Sequence, residues 1–276
     1  MAQIANSSGE HIKVPIQKLI SLLAAAAVAV LLSSCVTTTT GGYMVEASEQ
    51  QAVQDYIRLA IAYYDSDDLI TSRRHLNNAL AIDARNADAY NVLALISQRE
   101  GDLDLAEDAF RTALGHDRSN SRARNNYAVL LFGQERFSEA YDELLRVTGN
   151  ANYDGRAVAF ENQGRSALRL GRIDNASNAF TRALRLNANL HISALEMSLI
   201  EFNQENKDRE HQLFQQYLTT VQFYSIPYTP RALLAGIRIE GHAQNQEIVD
   251  TFALLLTSLY QNSLEFETYQ RLSNAH

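Results

Sequence analysis

The chain has 276 residues, 46% of them hydrophobic, with 12 Gly, 3 Pro and a net charge of −8. This composition supports a sizeable buried core and leaves little room for the turn-rich rhythm of a β-sandwich, so helix is expected to dominate. The acidic balance, with no basic run, argues against nucleic acid and an anionic bilayer surface as partners.

At the N-terminus, Lys13 and Lys18 precede an uncharged apolar run, Leu19 to Leu32, that ends in Ser33-Ser34-Cys35. A positive region, a short apolar region and small residues at the cut are the layout of a secretory signal. The run of about fourteen residues is shorter than the roughly twenty that a membrane span needs, which disfavours a permanent transmembrane anchor. Cys35 is the only cysteine, so no intramolecular disulfide is available. Leu32-Ser33-Ser34-Cys35 resembles the lipobox of bacterial lipoproteins. That resemblance implies cleavage before Cys35 and lipidation of its residue, and several acyl chains at about 0.8 kcal/mol per buried CH₂ anchor a domain stably. Residue 36 is Val and not the Asp that resembles an inner-membrane retention signal. The expected location is therefore the outer membrane, facing the periplasm. Residues 35–52, polar, small and Gly-containing, read as a flexible tether behind the 1–34 signal peptide. Without Lys13, Lys18 and Glu10 the mature chain keeps 22 basic and 31 acidic residues, a net charge of −9.

Beyond the tether, residues 87–120 set the pattern. Tyr90, Leu93 and Ala94 fall at helical spacing, Glu100-Gly101-Asp102 interrupts, and Leu103, Ala106, Phe110, Ala113 and Leu114 resume the spacing. Gly suits the residue past a helix end and Asp caps the next start, so the unit is a helical hairpin. Its alanines stand where two backbones approach. The same 34-residue unit recurs near 53–86, 121–154 and 157–190, then in degenerate form near 191–224 and 229–263, with a capping helix from about Glu265. In the fifth unit Asn203 to Asp208 forms a polar turn without the usual Gly. Small residues at the eighth, twentieth and twenty-seventh places resemble the tetratricopeptide repeat, although the family's Pro near place 32 and Trp at place 4 are missing. The resemblance implies an all-α domain over 53–276: a right-handed superhelix of about six hairpins with an inner and an outer face.

No histidine has a second ligand at metal spacing, and neither a Gly-rich phosphate loop nor a nucleophile elbow occurs. No catalysis, cofactor, metal or small-molecule substrate is expected. Binding is expected on the inner face, which in this repeat family is lined by the first helix of each hairpin. Places 5, 9 and 12 of that helix give Ile57, Ile61 and Tyr64; Asn91, Leu95 and Gln98; Asn125, Val129 and Phe132; then Arg165 and Leu168, with Arg169 beside them. An apolar stripe without an intramolecular partner marks an interaction surface. Asn91 and Asn125, one period apart, are placed to hydrogen-bond the backbone of a bound peptide. Asn126 and Asn162, at place 6, read as hairpin braces. The competing reading is that the array winds tightly or that its own N-terminal segment fills the groove.

The stretches Ala232–Ile239 and Leu256–Glu265 resemble the last repeat of the type IV pilus biogenesis and stability lipoproteins (the PilF/PilW/Tgl family), as does the order of lipobox, tether and repeats. The resemblance implies a pilotin, an outer-membrane lipoprotein that binds the pilus secretin and promotes its outer-membrane localisation and multimer assembly. The alternative is another periplasmic tetratricopeptide adaptor, scaffolding cell-wall hydrolases or outer-membrane protein insertion.

Overall fold

The computed structural model describes residues 48–274, and among them thirteen helices and no strands occur. The expected signal peptide, Cys35 and the expected tether as far as residue 47 lie outside the described residues. Twelve helices pair into six hairpins. These are α1 (Glu49–Asp65) with α2 (Leu69–Ile82), α3 (Ala87–Glu100) with α4 (Leu103–His116), and α5 (Ser121–Gly133) with α6 (Phe137–Gly149). The others are α7 (Arg156–Arg169) with α8 (Ile173–Leu186), α9 (His191–Asn203) with α10 (Lys207–Phe223), and α11 (Pro230–His242) with α12 (Gln246–Leu259). A last helix, α13 (Leu264–Ser273), packs on α11. The first helix starts inside the stretch read as tether, because the Ser48 side chain accepts from the Gln51 amide and caps it.

One turn closes all six hairpins. Asp67, Gly101, Glu135, Gly171, Glu205 and Gln244 each follow the first helix with φ between 59° and 87°. The next amide then reaches back five residues, as from Asp102 to the Ser97 carbonyl at 2.9 Å and from Asn206 to that of Glu201 at 3.0 Å. This is the double closure that satisfies the last carbonyls of a helix. It also explains the missing Gly of the fifth unit: Glu205 takes the left-handed position instead.

Within each hairpin a large side chain on the second helix meets a small residue on the first. Leu76, Phe110, Leu144, Phe180, Phe214 and Phe252 occupy equivalent, buried positions. Phe180 lies against Gly164, and Phe252 against Gly236, so closely that a side-chain carbon on either glycine would collide with the ring. The cores cross from repeat to repeat: Phe110 of α4 shares a cluster with Tyr127 and Leu131 of α5, and Phe214 of α10 shares one with Leu233 and Ile239 of α11. Each hairpin thus completes its apolar face on the next, the condition for a stacked superhelical array. First helices also pack on first helices, α1 on α3 through to α9 on α11, and this row lines the inner face.

Candidate groove along the inner face

Side chains of α1, α3 and α5 enclose a hollow of about 270 Å³ that includes Ile57, Ile61 and Asn91. A larger one, about 540 Å³, lies farther along between α5, α7, α9 and α11. Its apolar surface comes from Phe132, Leu168, Leu199 and Ile200, and its charged rim from Arg165, Arg169, Glu196 and Arg231. Smaller hollows extend it at both ends. One shares Phe132 and Arg165 and adds Val129; the other shares Leu199 and Arg231 and adds Leu234, Arg238 and the start of α13. The third to sixth repeats therefore carry one run of connected hollows.

The groove is apolar beneath and cationic above. Phe132 meets Phe137 edge-on at 5.1 Å, and the Arg165 guanidinium sits 4.9 Å from the Phe132 ring centre. Arg169 lies 4.2 Å over Phe137, and Arg238 lies 4.4 Å over Phe202. Rings hold such cations in place while leaving their N–H groups free to bond. Arg231 differs, because it makes two hydrogen bonds, of 2.8 and 2.6 Å, to the Glu196 carboxylate. Those bonds hold the Arg231 guanidinium above its ordinary value, against the push of burial.

The sequence-predicted residues divide among three environments. Phe132, Arg165 and Leu168, with Arg169, come together in the large hollow; Val129, 40% exposed, stands at its edge. Tyr64, Leu95 and Gln98 line none of these hollows: Arg99 covers the Tyr64 ring at 3.8 Å, and Leu95 packs on the cluster around Phe110. Three expectations need correction. Ile57 is no open groove residue; it is buried in the core with Val53, Leu76 and Val92, and only its edge reaches the first hollow. Asn91 and Asn125 are also buried, and their side-chain oxygens are already engaged. Asn126 Nδ2 donates to Asn91 Oδ1 at 3.0 Å, and Asn162 Nδ2 donates to Asn125 Oδ1 at 3.3 Å. Glu161 repeats the device, accepting from the Ser193 amide and hydroxyl at 3.0 and 2.8 Å. In the second, third and fourth repeats place 5 is an acceptor for the neighbouring repeat, and Asn126 and Asn162 brace repeat to repeat.

Leu199, Glu196, Asn203, Arg231 and Arg238 were not singled out from the sequence. The same stripe, carried into the fifth unit, would have named Leu199 and Asn203 at places 9 and 13. Among the described residues, no group of three or more His, Cys, Asp or Glu could hold a metal ion. The described histidines have local partners: His75 stacks on Tyr63 at 5.3 Å, His242 on Phe202 at 4.5 Å, and His211 faces Glu240 at 3.5 Å.

Tetratricopeptide repeat models match residues 57–118 and 161–224, and a second such model matches 98–160. The type IV pilus assembly protein PilF of Pseudomonas aeruginosa is 32% identical over 230 residues, covering 82% of this chain and 87% of that protein. A solved structure of Pseudomonas aeruginosa PilF is similar with a TM-score of 0.76 at 31% identity, over 81% of this chain and 98% of the other. PilW, described as a widely conserved type IV pilus biogenesis factor, shares the fold with a TM-score of 0.66 at 22% identity, over 80% and 99% of the two chains. YrrB, a repeat protein with an unusual peptide-binding site, shares the fold with a TM-score of 0.54 at 16% identity, over 71% and 97%.

Proposed function

The chain belongs to the family of tetratricopeptide-repeat proteins of type IV pilus biogenesis that includes PilF, and from that membership we propose that it is a non-enzymatic assembly factor for the pilus secretin. In this reading it is an outer-membrane lipoprotein facing the periplasm, held by acyl chains on Cys35. Its inner groove binds a segment of the secretin and promotes localisation and multimer formation. The observation that carries the reading is the 32% identity to a pilus assembly protein across 87% of that protein's length. Two features fit it: a groove several repeats long, suited to a segment of another protein, and a lipobox-like tetrapeptide that puts the anchor ahead of the repeats.

The test is the secretin multimer content of outer membranes from cells lacking the gene. Loss of multimers, with secretin monomer still made, is the expected result. Normal multimers in the same location overturn the reading and favour an adaptor for another envelope complex.

A further inference from the structure

The mature chain carries a net charge of −9, yet four guanidiniums, those of Arg165, Arg169, Arg231 and Arg238, gather along the groove of the third to sixth repeats. They are not equally neutralised. Arg231 is bound to Glu196, and Arg169 has Glu135 at 4.0 Å. Among the described residues, Arg165 and Arg238 have no carboxylate within 4.0 Å, and both are half-buried against aromatic rings. Glu265 lines the hollow with Arg238 but does not pair with it, and a carboxylate delivered from a partner to a partly desolvated, unpaired cation binds more strongly than one meeting a fully hydrated arginine. Between and beside these cations lie Phe132, Leu168, Leu199 and Leu234, partly buried side chains that line the hollows.

We propose that this groove takes an acidic segment of a partner protein, one in which carboxylates alternate with apolar side chains. Two carboxylates pair with Arg165 and Arg238, and the apolar side chains between them fill the hollows at Leu168 and Leu199. Glu196 and Glu135 offset Arg231 and Arg169, and Glu265 also lines the rim, so the local positive field comes from Arg165 and Arg238. The charge pattern argues for a short acidic segment over a polyanion. The net negative domain repels nucleic acid and anionic bilayers at long range, while a few carboxylates entering the groove meet the locally positive rim. The inference rests on the proposed function only for the identity of the partner.

The experiment uses the purified full-length mature protein and three probes: a synthetic peptide alternating Leu and Glu, the same peptide with Lys for Glu, and purified secretin subunits. The expected result is that the Glu peptide binds at least tenfold more tightly than the Lys peptide and weakens as salt rises. Arg165→Gln with Arg238→Gln should cost at least about tenfold for the Glu peptide and for secretin, about the size of one strong charge-assisted pair. Arg165→Lys with Arg238→Lys retains charge and should recover part of the loss; circular dichroism checks that both variants fold. Equal binding of the two peptides overturns the proposal. So does an unchanged affinity in the Gln variant, binding that appears only after residues 36–47 are removed, or capture of phosphatidylglycerol vesicles in place of peptide. If secretin binds and the Gln variant does not matter, this inference fails and the pilus reading stands. If the Glu peptide binds as expected and secretin does not, the inference stands and the secretin reading fails.

Discussion

The second and fifth repeats bury the same side chain at the same place, Phe110 and Phe214, and surround it with opposite chemistry. In the second repeat the seam is small and dry: Ala94, Ala106 and Ala113 are fully buried. Its ionic contacts stay at the rim, where Glu107 accepts from Arg136 at 2.7 Å and from the Tyr127 hydroxyl at 2.8 Å. In the fifth repeat the places of Ala106 and Ala113 belong to Glu210 and Tyr217. The Glu210 carboxylate is 1% exposed, with one oxygen 3.0 Å from His242 Nδ1 and the other without a partner. Nearby, Glu240 is fully buried and accepts from Gln215 at 2.8 Å and from Asn245 at 3.1 Å. The backbone turn and the packing of first helix on first helix persist in both. The hairpin geometry therefore tolerates a carboxylate in its tightest seam when an adjacent repeat supplies the partner.

Transplanting the carboxylate tests that condition with the largest expected effect. Ala176, fully buried, is the counterpart of Glu210 in the fourth repeat. Ala176→Glu brings the charge without the histidine and overfills a seam closed by Phe180, and should cost about 4 kcal/mol or more. The reverse change, Glu210→Ala, restores the common residue and removes an unpaired oxygen, and the His242 it leaves behind is 40% exposed and can be hydrated, so stability should stay within about 1 kcal/mol of the parent. Urea unfolding followed by circular dichroism compares the two. Equal losses would mean that the seam rejects any change of size, and that charge pairing is not what separates the repeats.

The same contrast explains what could be read from the sequence. The first four repeats announce themselves through small residues at three fixed places and a recurring turn. The fifth and sixth blur because Glu210 and Tyr217 break the small-residue pattern and the register slips. The groove followed that boundary. The helical stripe assembled Phe132, Arg165 and Leu168, but lost track of Leu199, Arg231 and Arg238 where the period became uncertain. It also read Ile57, Asn91 and Asn125 as open to a partner, whereas they are buried, Ile57 and Asn91 only bordering the first hollow. A period of 3.6 residues separates a core face from an open face, but place 5 sits at the border, and only the neighbouring helix decides whether it is covered.

A smaller effect distinguishes the rim pairs of the regular repeats. The hydrogen bond from Arg136 holds the Glu107 carboxyl below its ordinary value of 4.5, against the opposing push of burial, and the bond from Tyr127 adds to the lowering. A depressed carboxyl contributes stability that is fully present above the ordinary value and is lost as pH falls through the lower, folded-state value. Glu107→Gln should therefore lower Tm relative to the parent at about pH 7, and the gap should close at about pH 3. Thermal unfolding across this range checks it, and a gap that persists undiminished in acid would show that Glu107 acts by packing and not by charge.

The smallest expected effect lies in the turn itself. Gly101 and Glu205 share the left-handed position at φ 87° and 60°, but only glycine adopts it without a steric penalty. Two of the other substituted turns carry a weak, exposed charge contact, Asp67 accepting from Arg99 at 3.3 Å and Glu135 standing 4.0 Å from Arg169, and Gln244, like Glu205, carries none. Glu205 makes no ion pair among the described residues, so its strain is uncompensated. Glu205→Gly removes a penalty of about 1 kcal/mol and returns roughly half of it through the freer unfolded chain, a net gain of about 0.5 kcal/mol. In a domain of this size that raises Tm by about 1–2 °C. Gly101→Ala should move Tm the other way, since it imposes on the second repeat the strain that the fifth already bears. If Glu205→Gly leaves Tm unchanged or lowers it, the irregular repeat gains something from that side chain, and its turn differs from the regular one in more than residue type.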